Sequence, residues 1–178
     1  MNDYRITEDK VIFWGSFLSN WYPCKITYEG HQFKSSEQLF MWMKAKHFKD
    51  DEIANEIIKC SSPKEAKKLG RKVRGFDQDS WDKVKLKCMY DAINSKFEQN
   101  PKLKSKFLEL GDGRNFVEGS PYDKVWGIGI DWRDVRAENE PLWKGQNLLG
   151  EVLDDLRIDY LLSIESESEI PDIFKLEQ

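Results

Sequence analysis

Histidine and cysteine are scarce in this chain. Its 178 residues include two histidines, His31 and His47, and three cysteines, Cys24, Cys60 and Cys88, which lie far apart. Neither set has the spacing of a zinc site, and separated thiols fit a reducing compartment better than a disulfide framework. A Ser-His-Asp or Cys-His triad would have to use one of only two imidazoles, and no pattern near either supports it.

Long apolar runs are also missing. No stretch is long enough to cross a bilayer, and the first residues are polar, so we expect neither a membrane anchor nor a signal peptide. A cytoplasmic protein is the expectation. A chain of this length is expected to form one domain with a sizeable core.

Charge is unevenly distributed, although the formal net charge is only −4. Ten basic residues and four acids fall between Lys59 and Lys87, whereas acids dominate from Asp134 onward. A basic segment can contact the phosphates of a nucleotide or nucleic acid, but a solvated helix face gives the same pattern. The acidic bias elsewhere argues against sequence-independent coating of DNA.

Apolar periodicity and turn residues predict a mostly α-helical domain with a small β element, an α+β fold. Strands are predicted at 11–13, 25–27, 32–33, 115–119 and 126–130, and helices at about 36–48, 51–59, 63–70, 80–99, 101–110 and 148–162. Ser35 or Ser36 is expected to cap the first helix, Ser62 to Glu65 form a capping box, and Glu29-Gly30 suits a hairpin turn. Residues 1–162 then form one domain, and 163–178 an acidic tail.

The helix predicted at 36–48 is apolar on almost every side, which is typical of a buried helix. It nevertheless carries Glu37 and Lys44, which are two turns apart and therefore on one face. Buried charges are costly unless they are paired or used. A dipole-stabilised glutamate and a snorkelling lysine would explain the pair structurally. An acid and a desolvated amine in one catalytic site would explain it functionally.

Ordered motifs along the chain resemble the NADAR, or YbiA-like, family. They are Phe17-Leu18-Ser19-Asn20-Trp21, Glu37 with Lys44, Ser61-Ser62-Pro63 to Gly70-Arg71, Trp81 to Lys96-Phe97, Glu118 with Asp123 and Trp126-Gly127, and Gly145-Gln146-Asn147-Leu148-Leu149-Gly150. Each motif is short, but their order and spacing match from about Ile12 to Arg157. The resemblance implies a single-domain YbiA-like helical fold and an enzyme that hydrolyses N-glycosidic bonds.

The resemblance also implies two substrates, and in both the ribose is attached to an exocyclic amine. One is guanine that carries ADP-ribose on its amino group, within nucleic acid. The other is a phosphorylated ribosylamino-pyrimidine intermediate of riboflavin synthesis. The expected partner is therefore a ribosylated nucleobase or nucleotide, and no metal or organic cofactor is expected.

Cleavage of such a bond passes through an oxocarbenium-like transition state. It needs an acid at the leaving nitrogen and a carboxylate or nucleophile near the anomeric carbon. The candidate catalytic residues are Glu37, Lys44, Glu118 and Asp123. A desolvated Lys44 would have a lowered pKa and could form a Schiff base with the opened sugar. Carboxylate chemistry is the alternative, and for Asp123 a purely local role in a turn competes.

Candidate substrate-binding residues come from the same motifs: Asn20, Trp21, Arg71, Trp126, Gly127, Asn147 and Gly150. An indole can stack on a flat base, and glycine lets the backbone approach closely. Arg71 offers a guanidinium fork for phosphate, and Lys96 is a weaker candidate. Asn147, near Lys144, opens a helix whose free N–H groups could bind phosphate, although an ordinary asparagine cap has the same pattern.

Two other classes of function remain open. A non-catalytic reader of ADP-ribose or nucleotides would keep Trp126, Asn147 and Arg71 but would need neither Glu37 nor Lys44. A metal-dependent nuclease is disfavoured because the carboxylates are not tightly spaced in the sequence.

Overall fold

The computed structural model describes residues 3–168 of the chain. In order, the elements are β1 (Tyr4–Ile6), β2 (Lys10–Phe13), β3 (Ile26–Tyr28), β4 (His31–Phe33), α1 (Ser36–His47), α2 (Asp51–Lys59), α3 (Pro63–Gly70), α4 (Gln78–Asp82), α5 (Lys85–Glu98), α6 (Pro101–Leu110), β5 (Asn115–Glu118), two 3₁₀ turns (Val135–Glu138 and Glu140–Leu142) and α7 (Leu148–Ser168). The predicted α+β class is confirmed. Among these residues no helix is long and apolar enough to cross a membrane.

Strand β2 is the middle strand of a three-stranded sheet, antiparallel to β1 and parallel to β5. The parallel register places Phe13 opposite Glu118, so the ends of β2 and β5 lie side by side. Side chains alternate between the two faces of a strand. One face adds Val11, Phe13 and Phe116 to the main core, and the other packs Ile12 and Val117 against Ile128, Ile130 and Ala137. Both faces are covered, which explains why residues 11–13 of β2 and 116–117 of β5 are apolar without alternation.

The predicted hairpin and first helix are confirmed. Glu29 and Gly30 have φ angles of 46° and 75°, as a tight turn with two positive-φ residues requires, and they join β3 to β4. Ser35 caps α1 by accepting a hydrogen bond from the backbone N–H of Gln38. Helix α1 then packs against α2, α3 and α5 and forms the centre of the helical layer.

Helix α3 packs closely on α1. A Cβ atom on Gly70 would lie 2.1 Å from the sulfur of Met41, so the glycine permits this approach. The helix starts as predicted, because Ser62 accepts from the N–H of Glu65. The reciprocal bond of the capping box differs, since the Glu65 carboxylate accepts from the N–H of Ser61 and not from that of Ser62.

The single helix predicted at 80–99 is wrong, because the structure contains two helices, α4 and α5. Val84 interrupts them with a φ of −122°. The break lets the Trp81 ring pack 5.4 Å from that of Phe40, while α5 buries a separate face that includes Met89 and Ile93. The packing of the Trp81 side chain against α1 therefore outweighs the apolar periodicity that predicted one continuous helix.

The strand predicted at 126–130 is also wrong. This segment makes single backbone bonds, from Ile128 N–H to Glu118 O and from Lys144 N–H to Ile128 O, instead of a ladder. Gly129 has a φ of 66° and interrupts any extended run.

The last helix continues beyond the predicted end at 162 and reaches Ser168. It therefore extends into the segment that was predicted as a separate tail at 163–178. The rest of the predicted tail, residues 169–178, lies outside the described residues.

Candidate functional site

A cleft of about 840 Å³ is lined by residues of α1, α3 and α4 and of the loops that follow β2 and β5. It contains all the predicted catalytic residues, Glu37, Lys44, Glu118 and Asp123, and the predicted binding residues Asn20, Trp21, Arg71 and Trp126. Residues that are more than a hundred positions apart in the chain, such as Asn20 and Trp126, therefore meet in one cavity.

Glu37 lies in the first turn of α1 and is only 2% exposed. The side-chain amide of Asn20 donates to its Oε2 at 2.6 Å, and the Glu37 N–H donates to the Asn20 carbonyl. Its Oε1 is buried and makes no hydrogen bond of ordinary geometry among residues 3–168, although the Trp21 side chain lies close enough to lower the pKa of the carboxyl. Burial raises the pKa of the Glu37 carboxyl to about 7, Lys67 opposes this and Asp123 reinforces it. The carboxyl can therefore gain and lose a proton near neutral pH.

Glu118 ends β5 and is buried as well. Burial raises the pKa of its carboxyl to about 8, and the negative charges of Asp123 and Glu37 add to this, while Lys67 acts in the opposite direction. Acids that share a small volume repel each other when ionised. The cleft therefore retains a proton on its acids at neutral pH.

Asp123 has one oxygen in a turn and one near a cation. Its Oδ1 accepts from the N–H groups of Val125 and Trp126, and its Oδ2 lies 3.5 Å from Lys67 Nζ. The local role of Asp123 in a turn therefore corresponds to the contacts of Oδ1. A role in the site is compatible with the position of Oδ2 beside Lys67 in the cleft. Sequence reasoning missed Lys67 as an individual site residue, although its position four residues before Arg71 places both on one face of α3.

Lys44 is half-buried, with its Nζ 4.2 Å from the ring centre of Phe76 and 5.8 Å from that of Trp81. Burial lowers the pKa of this amine. Two helical turns separate Lys44 from Glu37 by about 10 Å along the axis. The two side chains can therefore reach one substrate at different points, and the aromatic rings beside Lys44 offer flat faces to a base.

Gly127, Asn147 and Gly150 do not line the cleft. The Asn147 Oδ1 accepts from the Glu118 N–H at 2.9 Å, and its Nδ2 donates to the Phe116 carbonyl at 3.0 Å. Both polar atoms of the Asn147 side chain therefore form hydrogen bonds with the backbone of β5. The side chain is not placed as the phosphate ligand that was predicted. A Cβ atom on Gly127 would lie 2.8 Å from the Glu118 carbonyl, and one on Gly150 2.1 Å from that of Phe116. These residues let the segment from Gly127 to the first turn of α7 pack tightly on β5, and so they hold Glu118 in place.

Lys96 is fully buried and also lies outside the cleft lining. Its Nζ donates to the Ser19 carbonyl at 2.9 Å, and burial lowers the pKa of the amine to about 8. The ammonium therefore supports the loop that carries Asn20 and Trp21. A phosphate contact, for which Lys96 was the weaker candidate, would need an exposed amine.

These features define a class of protein. It is a small α+β fold whose cleft contains carboxyl groups with pKa values near neutral pH, a desolvated lysine amine and aromatic side chains in its walls. No group of three or more His, Cys, Asp or Glu side chains within residues 3–168 could hold a metal ion. The chain belongs to the NADAR domain family, whose family model matches residues 12–160.

Relatives with curated names extend this finding. N-glycosidase R617 of Acanthamoeba polyphaga mimivirus is 40% identical over 164 residues, which cover 85% of this chain and 96% of that protein. N-glycosidase YbiA of Escherichia coli (strain K12) is 31% identical over 157 residues, which cover 88% and 86%. The NMR structure of E. coli YbiA matches with a TM-score of 0.70 at 28% identity and covers 92% of this chain and 90% of its own. Riboflavin biosynthesis protein VVA0006 of Vibrio vulnificus is 29% identical over 84% of this chain but only 38% of its own length.

Proposed function

We propose that this protein is an N-glycosidase that hydrolyses the bond between a ribose and an exocyclic amine. The observation that carries the proposal is the buried Glu37 carboxyl, which belongs to the lining of the cleft, has one oxygen without an ordinary hydrogen bond among residues 3–168, and has a pKa of about 7. The names of the relatives R617 and YbiA support the same class of reaction. All three cysteines are free thiols, which supports the expected cytoplasmic location.

Protonated Glu37 is the proposed acid. It donates its proton to the ring oxygen of the ribosylamine, the bond between this oxygen and C1 breaks, and the nitrogen lone pair forms a C1=N iminium. The hydrogen bond from Asn20 fixes Oε2 and leaves Oε1 for the substrate. Because its pKa is near 7, Glu37 can return and take up the same proton during later steps.

Lys44 is the proposed nucleophile. Its neutral amine adds to C1, a proton passes from Nζ to the departing nitrogen, and the C1–N bond breaks to release the free amine. Water then adds to C1 of the Lys44 imine, the lysine amine leaves, and the ribose is released as an aldehyde that closes again. One water is consumed and no oxidant is needed. Burial of Lys44 supports this role, because a lowered pKa increases the fraction of neutral amine.

Carboxylate chemistry is the competing mechanism for the same reaction. Glu37 would then protonate the leaving nitrogen directly, and Glu118 or Asp123 would activate a water at C1. A Lys44→Arg variant distinguishes the two, since arginine keeps the charge but cannot supply a neutral nucleophile. Under the Schiff-base mechanism we expect it to be nearly inactive, whereas an active variant would leave Lys44 only an electrostatic role.

The proposed substrates are ADP-ribosylated guanine and a phosphorylated ribosylamino-pyrimidine of riboflavin synthesis. Both present the same amine–ribose bond, so one site can serve either. The cations Lys67 and Arg71 at the cleft support a phosphate-bearing substrate.

A non-catalytic nucleotide reader is less well supported by this cleft. Such a protein would need the aromatic walls and the cations, but a buried glutamate with one oxygen unpaired in the described part of the chain would only destabilise it. In an enzyme the same buried carboxyl group can act as the acid or base of the reaction, which accounts for its cost in stability.

Product analysis tests the proposal. The protein is incubated separately with ADP-ribosylated guanine DNA and with the ribosylamino-pyrimidine phosphate, in the presence of EDTA, and released sugar is measured by mass spectrometry. We expect free sugar from at least one substrate. Release of neither sugar, with or without added divalent cations, would contradict the proposed function, and release only with cations would point to a metal-dependent enzyme.

Trapping tests the role of Lys44. Borohydride added during turnover should reduce the imine and leave the mass of the sugar on the peptide that contains Lys44. The Lys44→Arg variant is the control and should not be labelled. A sugar adduct on any other lysine would move the nucleophile to that residue.

A further inference from the structure

The three acids of the cleft lie near a single lysine of α3. Glu37 comes from α1, Glu118 from the end of β5 and Asp123 from the loop after β5, and all three line the cavity. Lys67 reaches this cluster from α3, and its Nζ lies 3.5 Å from Asp123 Oδ2. Among residues 3–168 this is the one ion pair that an acid of the cleft makes. The ammonium of Lys67 therefore meets a local excess of carboxyl groups.

Packing fixes the position of Lys67. Helix α3 approaches α1 closely because Gly70 has no side chain, and a Cβ atom there would lie 2.1 Å from the sulfur of Met41. The Lys67 ammonium also lies 5.8 Å from the ring centre of Trp21, within the range of a cation–π contact. The Lys67 side chain is 34% exposed, and that of Asp123 is 25% exposed. Water therefore screens the charge of Lys67 only in part.

The other cations of the cleft are placed differently. Those in the described part of the chain are Lys44 on α1, Arg71 directly after α3, Lys85 on α5 and Lys124 after β5. Within residues 3–168, none of them forms an ion pair with an acid of the cleft, and Lys85 pairs with Asp82 instead. Arg71 lowers the pKa of Glu37, but with a smaller effect than that of Lys67.

The other elements that pack against α1 carry their charges outside the cleft lining. The charged residues of α2 and His31 of β4 are exposed. The Glu65 carboxylate of α3 accepts hydrogen bonds from the N–H and hydroxyl of Ser61. Lys96 of α5 donates to a backbone carbonyl below the site. Lys67 is therefore the cation best placed to act on the acids of the cleft.

Lys67 acts on both buried glutamates. Burial is the main cause that raises the pKa of Glu37 to about 7 and that of Glu118 to about 8. Lys67 lowers both pKa values, whereas the negative charge of Asp123 raises both. An opposite charge favours the ionised form of an acid, and a like charge disfavours it. Without the ammonium, the protons of the cleft would be held up to a higher pH.

We propose that Lys67 is a positioning residue whose ammonium offsets the charges of the cleft acids and so sets the pH range in which Glu37 can act as the acid. The inference rests on the proposed N-glycosidase function. Lys67 takes part in no bond-making step. It acts through Glu37, because it stabilises the carboxylate that remains when the proton has passed to the substrate. Without it, Glu37 would hold the proton more tightly and would be a weaker acid.

The test variant is Lys67→Met, which removes the charge but keeps a side chain of similar length. Lys67→Arg keeps the charge and should restore the wild-type behaviour. The matched control is Lys72→Met, which removes one positive charge at an exposed position outside the cleft. Lys67→Gln is a second neutral variant in case methionine impairs folding, and thermal melting shows whether each variant is folded.

Two measurements follow the titration of Glu37. One is the pH profile of kcat/KM, which reports the pKa values of the free enzyme. The other is carbon-13 NMR of the side-chain carboxyls, in which the Glu37 signal is the one missing from Glu37→Gln, and it needs no substrate. The wild-type midpoint is expected near pH 7. In Lys67→Met it should rise by about one pH unit, the lower end of what a nearby opposite charge does to a carboxyl. Lys67→Arg and the control should keep the wild-type midpoint.

An unchanged midpoint in Lys67→Met would overturn the inference, even in a slow variant, because Lys67 would then contribute only to substrate binding. An equal rise in Lys67→Arg or in Lys72→Met would also overturn it, since the effect would then not come from a charge at this position. If the wild type cleaves no substrate, the proposed function fails, and the NMR titration still decides the role of Lys67. A higher Glu37 midpoint in Lys67→Met alone would support that role, and equal midpoints would overturn it.

Discussion

Replacement of Glu37 by glutamine should abolish turnover and also change how stability depends on pH. Glutamine is close to isosteric, and its carbonyl oxygen can still accept the hydrogen bond from Asn20. The variant should therefore fold. Loss of a positioned acid typically reduces the rate by ~10²–10⁴.

The effect on stability follows from the pKa of the Glu37 carboxyl, which is 4.5 ordinarily and about 7 in the folded protein. The folded state holds the proton more tightly than the unfolded chain does. The stability contributed by this proton is fully present below pH 4.5 and is lost as the pH rises to about 7. The difference between the two values corresponds to about 3 kcal/mol. Glutamine does not titrate, so the variant should lack this loss.

The assay compares urea unfolding of the wild type and of Glu37→Gln at pH 5 and pH 8, together with turnover. The free energy of unfolding of the variant, relative to the wild type, should increase by about 2–3 kcal/mol between the two pH values. Other titrating groups, including Glu118, are present in both proteins and largely cancel in this comparison. Glu56→Gln, at an exposed position of α2, is the control and should alter neither quantity.

Two results would refute this reasoning. A folded Glu37→Gln variant that retains more than about a tenth of the wild-type turnover would remove Glu37 from the chemistry. Parallel stability curves for the two proteins between pH 5 and pH 8 would show that the Glu37 carboxyl does not titrate in this range in the folded state.

Two further variants test the residues that support the cleft. Lys96→Met should keep or raise the melting temperature, because a buried cation is replaced by an apolar side chain of similar length. The turnover number kcat should nevertheless fall, since the Ser19 carbonyl keeps only the Tyr22 N–H as a donor and the loop that carries Asn20 loses its tie to α5. Unchanged kcat would leave Lys96 without a positioning role. Asn147→Ala should lower the free energy of unfolding by about 2–5 kcal/mol, since the Glu118 N–H and the Phe116 carbonyl lose their partners, and Asn147→Asp, which keeps the acceptor, should recover part of this in urea titrations. An Asn147→Ala protein of normal stability with a raised KM would instead favour the original phosphate contact.

The features that sequence predicted well depend on neighbouring residues. The cap at Ser35, the Glu29-Gly30 turn and the start of α3 at Ser62 each involve side chains or φ preferences within a few positions. The features that were predicted wrongly depend on distant contacts. The break between α4 and α5 follows the burial of Trp81 against α1, and the segment 126–130 takes its shape from β5 and Gly129.

The sequence by itself determined which chemical groups are available and on which helices and loops most of them lie. Helical periodicity placed Glu37 and Lys44 on one face, and the spaced motifs indicated the family. Only the tertiary structure decided which groups meet and in which state. The packing of α3 on α1 brings Lys67 to the cleft, and the β2–β5 register places Glu118 there. Burial then raises the pKa of both glutamates, because the loss of water around a charge is a property of the folded chain and not of any local motif.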